Sequence, residues 1–351
     1  MESPPRHGEN AIPAPKNSNI EYSKQMTPPE VFVCNSAVEK SCLTPHLSLS
    51  HTLLLETEGG IVMAKIEIGD VVSRKSYGGD ILFRVEKLIE DAEQVVAVLR
   101  GLYVRLCADA PVKDLEKKGN EEVNRHRDDF HTVSDAHLQK ALERRAVFNS
   151  DSLTRGKSGS EDDFFEFPGR VLHLDGDPEY SALCQQSYDQ LKVKARTISV
   201  PEAKQAEVVQ GFLREHRPDI LVLTGHDGFL KGQKDWKNID NYRNSKYYVQ
   251  AVMKAREMEP DRDQLVIFAG GCQSYFEALI EAGANFASAP KRVLIHVYDP
   301  VLVAQKIAFA PISQTVSVRE VIGATVTGIT GVGGLESLGH FRKGIPGPFS
   351  K

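Results

Sequence analysis

Residues 219–228 read DILVLTGHDG and residues 264–274 read QLVIFAGGCQS. Each is a short apolar run that stops at glycine and then delivers a reactive side chain, His226 in one and Cys272 in the other. Short apolar runs bounded by turn signals read as strands buried on both faces. The same rhythm recurs around them, in RVLHLDG (170–176), KVKARTISV (192–200) and RVLIHVYD (292–299). Between these runs lie stretches of helical period, EAKQAEVVQGFLREH, YRNSKYYVQAVMKAREM and CQSYFEALIEAG. Alternating strands and helices predict βαβ units, hence an α/β fold over 168–335 with a largely parallel sheet flanked by helices. Ligands of such sheets sit beyond the carboxyl ends of the strands, the edge on which His226 and Cys272 are expected as neighbours.

Outside that region the chain changes character. Residues 1–62 carry the PPR, PAP and TPP prolines without periodicity and read as a disordered tail. The EGG at 58–60 can be encoded by purine-rich codons resembling a bacterial ribosome-binding site, a few codons before Met63. Translation of the native protein is therefore expected to start at Met63, with 1–62 as upstream sequence read in frame. Residues 63–115 alternate apolar and polar, broken by Gly-Asp and Gly-Gly turns, and predict a small SH3-like β-barrel suited to docking. Residues 116–167 read as a helical linker, with VSDAHLQKALERRAVF as its helix and SDSLTRGKSGSEDD as an exposed loop. Residues 336–351 are expected to be a C-terminal tail.

Composition narrows the function. The 351 residues are 41% apolar and 26% charged, with a formal net charge of −5. These fractions exclude a collagen or a coiled-coil rod, and the charge gives no reason to expect a nucleic-acid partner. No run approaches the roughly 20 apolar residues of a membrane span, and MESPPRHGEN lacks the features of a secretory signal. Five cysteines without a CxxC pair argue for a reducing compartment.

Taken singly, a cysteine after a strand reads as a small buried hydrophobe and a histidine as satisfied structure. Paired at equivalent strand ends, each beside glycine, they read as chemistry. A thiol at a helix N-terminus feels the positive end of the macrodipole, and a nearby imidazole lowers its pKa further. Cys272 is thus the candidate nucleophile and His226 the general base and acid. The amides of Cys272 and of a residue near Gly228 are the candidate oxyanion donors. Asp175 and Asp177 in LDGDPEY fall on the same edge, where they orient His226, line the cleft or cap a loop.

A His–Gly-type motif after one strand and a small residue–Cys motif after a later one resemble the pattern of caspase-like cysteine peptidases. More closely, IGDVVSRKSYGGDILF, RLCADAP, LHLDGDPEY, LTGHDG, NYRNSKYY and AGGCQSYFEALIEAGANFASAP resemble the YabG family of sporulation-specific peptidases. The resemblance runs from about Met63 to Pro346 and implies a caspase-like peptidase domain with His226 and Cys272 as its dyad. Asp227 stands between His226 and Gly228, a departure from the broader clan that leaves open which amide completes the oxyanion hole. The resemblance further implies expression in the mother cell and action on spore coat and cortex-associated proteins, in that cytoplasm and the forming coat. It implies cleavage after Arg, which calls for an acidic S1 pocket. Asp299 and Asp227 are the candidates for it, although Asp299-Pro300 also reads as a helix start. Arg155 in SLTRGKSG is the candidate self-cleavage site.

Other motifs carry less. GKS at 156–158 lacks the first glycine of a phosphate-binding loop, and the GxGxxG frame fails at Glu336. Cys107, Cys184 and His173 have no zinc-like spacing, so neither metal nor cofactor is expected. NYRNSKYYVQ reads as one face of a crossover helix rather than a nucleic-acid site. Two further readings are a non-catalytic coat-assembly scaffold and an amidase-like hydrolase using the same dyad.

Overall fold

Alternating apolar residues after Lys65 build the first layer of the computed structural model, which describes residues 65–91, 94–155, 165–230 and 232–345, with backbone alone for 91 and 147–155. The tail expected at 1–62 lies outside the described residues. Val71–Arg74 (β1), Leu82–Asp91 (β2), Gln94–Gly101 (β3), Cys107–Pro111 (β4) and Leu115–Lys117 (β5) form an antiparallel sheet in the order β4-β3-β2-β1-β5. Its inward positions, among them Val72, Phe83, Val85, Ala97, Leu99 and Ala108, form one apolar cluster.

The helix expected over 133–148 is longer than its apolar pattern. It runs from Asn120 to Arg155 (α1), with Glu121 and Glu122 at its positive end. The expected loop is therefore helical as far as Arg155, and residues 156–164 lie outside the described ones. Phe130, Leu138 and Ala141 are the α1 residues buried in the main core.

From there the chain follows Phe165–Phe167 (β6), Val171–Asp175 (β7), Pro178–Gln190 (α2), Ala195–Ser199 (β8), Glu202–His216 (α3), Ile220–Thr224 (β9), Ser245–Met258 (α4), Val266–Ala269 (β10), Phe276–Ala282 (α5) and Phe286–Ser288 (β11). Asp299–Phe309 (α6), Thr315–Val316 (β12), Val318–Ile322 (α7), Val332–Gly334 (β13), Ser337–Leu338 (β14) and Arg342–Gly344 (β15) complete it. The second sheet has the order β13-β11-β10-β9-β7-β8, parallel except where β13 pairs antiparallel with β11. Side chains alternate between two cores. Val171, Ile220, Val222 and Phe268 meet α2, α6 and α1, while Leu172, Leu221, Leu223 and Ile267 meet α3, α4 and α5. The connections leave β7 in opposite directions, so the strand order reverses between β7 and β9, the crevice where sheets of this kind bind ligands.

Two expectations are corrected. RVLIHVYD is not a sheet strand; the fifth parallel strand is β11, in GANFASAP, whose Phe286 and Ala287 register with Phe268 and Ala269. Residues 292–298 instead run over the sheet edge, and His296 bridges to Val104 of the first layer. Nor are residues 336–345 a tail, because β14 pairs with β12 and β15 with β6. Phe341 between them is buried near Phe309. Among the described residues no helix is long and apolar enough to cross a membrane.

Candidate active site

Strands β9 and β10 are direct neighbours, with Leu223 opposite Ala269. His226 and Cys272 each follow at the same short distance past that register, on the carboxyl edge of the sheet. The turns carrying them touch: a Cβ on Gly271 would stand 2.8 Å from the Gly225 carbonyl and 3.1 Å from the Asp227 amide. Only glycine permits this approach. Gln273, directly after the cysteine, holds φ at 56°, a conformation costly for a residue with a side chain and typical of functional turns.

Cys272 is fully buried. Its sulfur accepts the Ile295 N–H at 3.3 Å, its amide donates to the Arg105 carbonyl at 3.1 Å, and its neighbours include Val104, Leu106 and Ile295. Burial pushes the thiol up to about 12, against a smaller pull from the Ile295 hydrogen bond. Helix α5 begins only at Phe276, so the macrodipole expected to assist the thiol starts one turn further on.

His226 is 2% exposed and stacks on Tyr180 with ring centroids 5.1 Å apart. Its backbone is held on both sides: its amide donates to Glu202 Oε1 at 2.8 Å, and its carbonyl accepts from Asn244 Nδ2 at 2.7 Å. The ring is different. Neither Nδ1 nor Nε2 has a hydrogen-bond partner among the described residues, so none joins it to Cys272, and the Asp177 carboxylate is 3.7 Å from Nε2. Burial first, then the cations Arg100 and Arg105, hold the imidazole well below its usual pKa and therefore neutral at pH 7. Burial also raises the Glu202 carboxyl, to about 7.

Asp227 and Asp299 are both fully buried. Asp227 accepts from the Gly228 amide (2.8 Å), the Asn244 amide (2.7 Å), Ser245 Oγ (2.5 Å) and Ser274 Oγ (2.7 Å). Asp299, the first residue of α6, accepts from the amides of His296 (3.0 Å), Val326 (2.7 Å) and Thr327 (3.2 Å) and from the Thr327 hydroxyl. Each carboxylate ties loops together and is saturated by internal donors, and Gly228 spends its amide on Asp227. Arg155, the remaining candidate, ends α1.

Arg105, which the sequence did not single out, completes the edge together with Asp175 and Asp177. Arg105, fully buried, places Nη1 2.6 Å from Asp175 Oδ2, Nη2 3.3 Å from the Val297 carbonyl and 3.5 Å from Cys184 Sγ. His173, Asp175 and Cys184 bring their ligand atoms within 4.8 Å of one another, a spacing that suits a metal ion, but the Arg105 guanidinium is the cation standing against them. Asp177 caps α2 and meets Arg100 at 3.1 Å. The one signal in the sequence was an arginine at an otherwise apolar position, between Val104 and Leu106. A separate depression of about 240 Å³, lined by Arg144, Lys306, Phe309 and Glu320, includes none of these residues.

The family model described as YabG peptidase U57 matches residues 67–346. The sporulation-specific protease YabG of Bacillus subtilis (strain 168) is 39% identical over 285 residues, covering 80% of this chain and 98% of that protein. No solved structure gives a significant match. The chain belongs to the YabG peptidase family.

Proposed function

We propose that this peptidase is a cysteine endopeptidase with Cys272 as nucleophile and His226 as general base and acid. The observation that carries the reading is the His226 ring: buried, neutral and without a hydrogen bond among the described residues, in the turn that follows the strand beside the one delivering Cys272. A buried imidazole with both nitrogens unpaired costs stability, a cost a fold keeps where the nitrogen has a task. Neutral His226 can take the thiol proton as sulfur attacks the scissile carbonyl, then return it to the leaving amine. The amides of Cys272 and Asp227 converge on one acceptor and supply the oxyanion donors. They favour Asp227 over Gly228 as the second donor, since Gly228 is bonded to the Asp227 carboxylate.

The arrangement also supports a caspase-like reading of the second sheet, with the strand order reversing beside β7 and both reactive residues on the carboxyl edge. The order β4-β3-β2-β1-β5, with a 3₁₀ turn at Val112–Asp114 before β5, supports the SH3-like one. By likeness to the Bacillus protein we assign a role in sporulation. For this chain the proposed substrates are spore coat and cortex-associated proteins cut after Arg, in the mother-cell cytoplasm and forming coat, with self-cleavage after Arg155.

The test is incubation of the protein and its Cys272→Ala twin with an Arg-containing coat polypeptide, with new termini mapped by mass spectrometry. Cuts after Arg by the native protein alone are expected. Equal cutting by both would place the nucleophile elsewhere.

A further inference from the structure

The connection between β3 and β4 is closed by the Gly101 amide on the Leu106 carbonyl at 2.9 Å, yet its residues reach well beyond the first sheet. Residues 103–106 pack against the turns that follow β7 and β9. Val104 bridges His296 in antiparallel sense, Leu106 bridges Asp227 in parallel sense, and the Cys107 amide donates to the Asp227 carbonyl at 3.2 Å. Main-chain pairing on both sides is how a groove holds a peptide, and here the chain is bent at Arg105, where the Leu106 N–H donates to the Val104 carbonyl at 2.8 Å.

Arg105 sits at the centre of that segment. Its carbonyl oxygen accepts from the amides of Cys272 and Asp227, each at 3.1 Å. Its guanidinium is buried against Asp175, Cys184 and the Val297 carbonyl, with the Tyr180 ring 5.3 Å away. The Asp175 carboxylate also has donors other than the guanidinium to aim it. Thr224 Oγ1 donates to Oδ2 at 2.8 Å and the Asp177 amide to Oδ1 at 2.9 Å. A staple between two layers needs only the ion pair. It does not need the carbonyl of the same residue seated on the amide of the candidate nucleophile.

We propose that residues 103–106 are a built-in pseudosubstrate, with Arg105 in the place of the residue whose peptide bond is cut and Asp175 as the carboxylate that selects a basic side chain there. The proposal rests on the cysteine-peptidase reading for the meaning of the Cys272 amide, while the pocket itself is open to a binding test. It gives the acidic pocket a residue other than Asp227 and Asp299, both of which are saturated internally. It also describes the structure as a closed state that opens when this segment withdraws.

The experiment uses the full chain, its Arg105→Ala and Arg105→Gln variants and the double variant Arg105→Ala/Asp175→Asn, with agmatine as guanidinium probe. Thermal melting is followed against agmatine, and kcat/KM is measured on peptides with Arg, Lys or Ala before the scissile bond. Arg105→Ala is expected to show a saturable agmatine shift absent from the native chain. It should cut the Arg peptide about tenfold faster, as removal of a competing closed state requires. The double variant is expected to lose both the shift and the Arg preference. A natively folded Arg105→Ala protein that neither binds agmatine nor cuts faster overturns the proposal. Should that variant not fold, Arg105→Gln, which fills much of the space without the charge, carries the same two readouts with smaller expected changes, and their absence is equally decisive. Agmatine binding in a protein whose Cys272→Ala form still cuts would keep the pocket and reject the nucleophile.

Discussion

The sulfur of Cys272 lies 3.3 Å from the amide nitrogen of Ile295, a weak hydrogen bond inside an apolar cluster. With its pKa pushed up to about 12, almost no thiolate exists at neutral pH in this state. Iodoacetamide at pH 7.5 is therefore expected to modify Cys272 at least about 100-fold more slowly than free cysteine. Peptide mapping over time reads the rate, and labelling at the rate of free cysteine would contradict the buried thiol.

Activity and stability are expected to part company at His226. Replacing a buried polar group that makes no hydrogen bonds with an apolar one of similar size removes a desolvation cost. His226→Leu should leave Tm unchanged or higher while kcat/KM falls by about three orders of magnitude or more. Melting curves and kinetics on one preparation check both halves. A large drop in Tm would mean that the ring contributes more to the fold than its contacts show.

Glu202 predicts a pH dependence with a definite sign. Burial raises its carboxyl from the ordinary 4.5 to about 7, so the folded state retains a proton that the unfolded chain releases. Its contribution to stability is thus full below pH 4.5, declines as pH rises towards 7 and is gone above it. The decline amounts to at most about 1.4 kcal/mol per pH unit for one proton. Glu202→Gln keeps an acceptor for the His226 amide and should flatten that part of the profile in denaturant titrations between pH 4.5 and 8.

At the opposite edge, Arg256 donates to the carbonyls of Gly283, Glu259, Asp261 and Leu265 and to Asn285 Oδ1, pinning the end of α4 to the starts of β10 and β11. Arg256→Ala is expected to cost about 3 kcal/mol by orphaning these acceptors. Because the candidate site lies at the other end of the strands, kcat/KM per folded molecule should not change. A change in kcat/KM would reveal coupling across the sheet.

The strands best read from sequence are those whose signal is local. β9 and β10 are apolar runs ending in Gly-containing turns, β7 is a similar run interrupted by His173, and the structure sets β9 beside β10 as their spacing predicted. β11 was missed because a three-residue strand has too little sequence to announce itself, while the stronger pattern of RVLIHVYD belongs to a segment crossing the edge. Arg105 and Asp175 are 70 positions apart, and nothing in either neighbourhood names the other. Asp299 was legible as a helix start but not as the acceptor for Val326 and Thr327, because those donors arrive from a distant loop.

The pairing of Phe165, Glu166 and Phe167 with Gly344, Lys343 and Arg342 has a consequence for a nicked chain. A single cut between Arg155 and Phe165 would leave two polypeptides but one particle. The newly made end would stay tied to the far terminus by β6 and β15. The first piece would stay seated through Phe130, Leu138 and Ala141 in the shared core. Nicking there changes covalent connectivity and almost nothing else, so two bands on a denaturing gel would elute as a single peak from a sizing column. In that two-chain form Arg105 remains where it was.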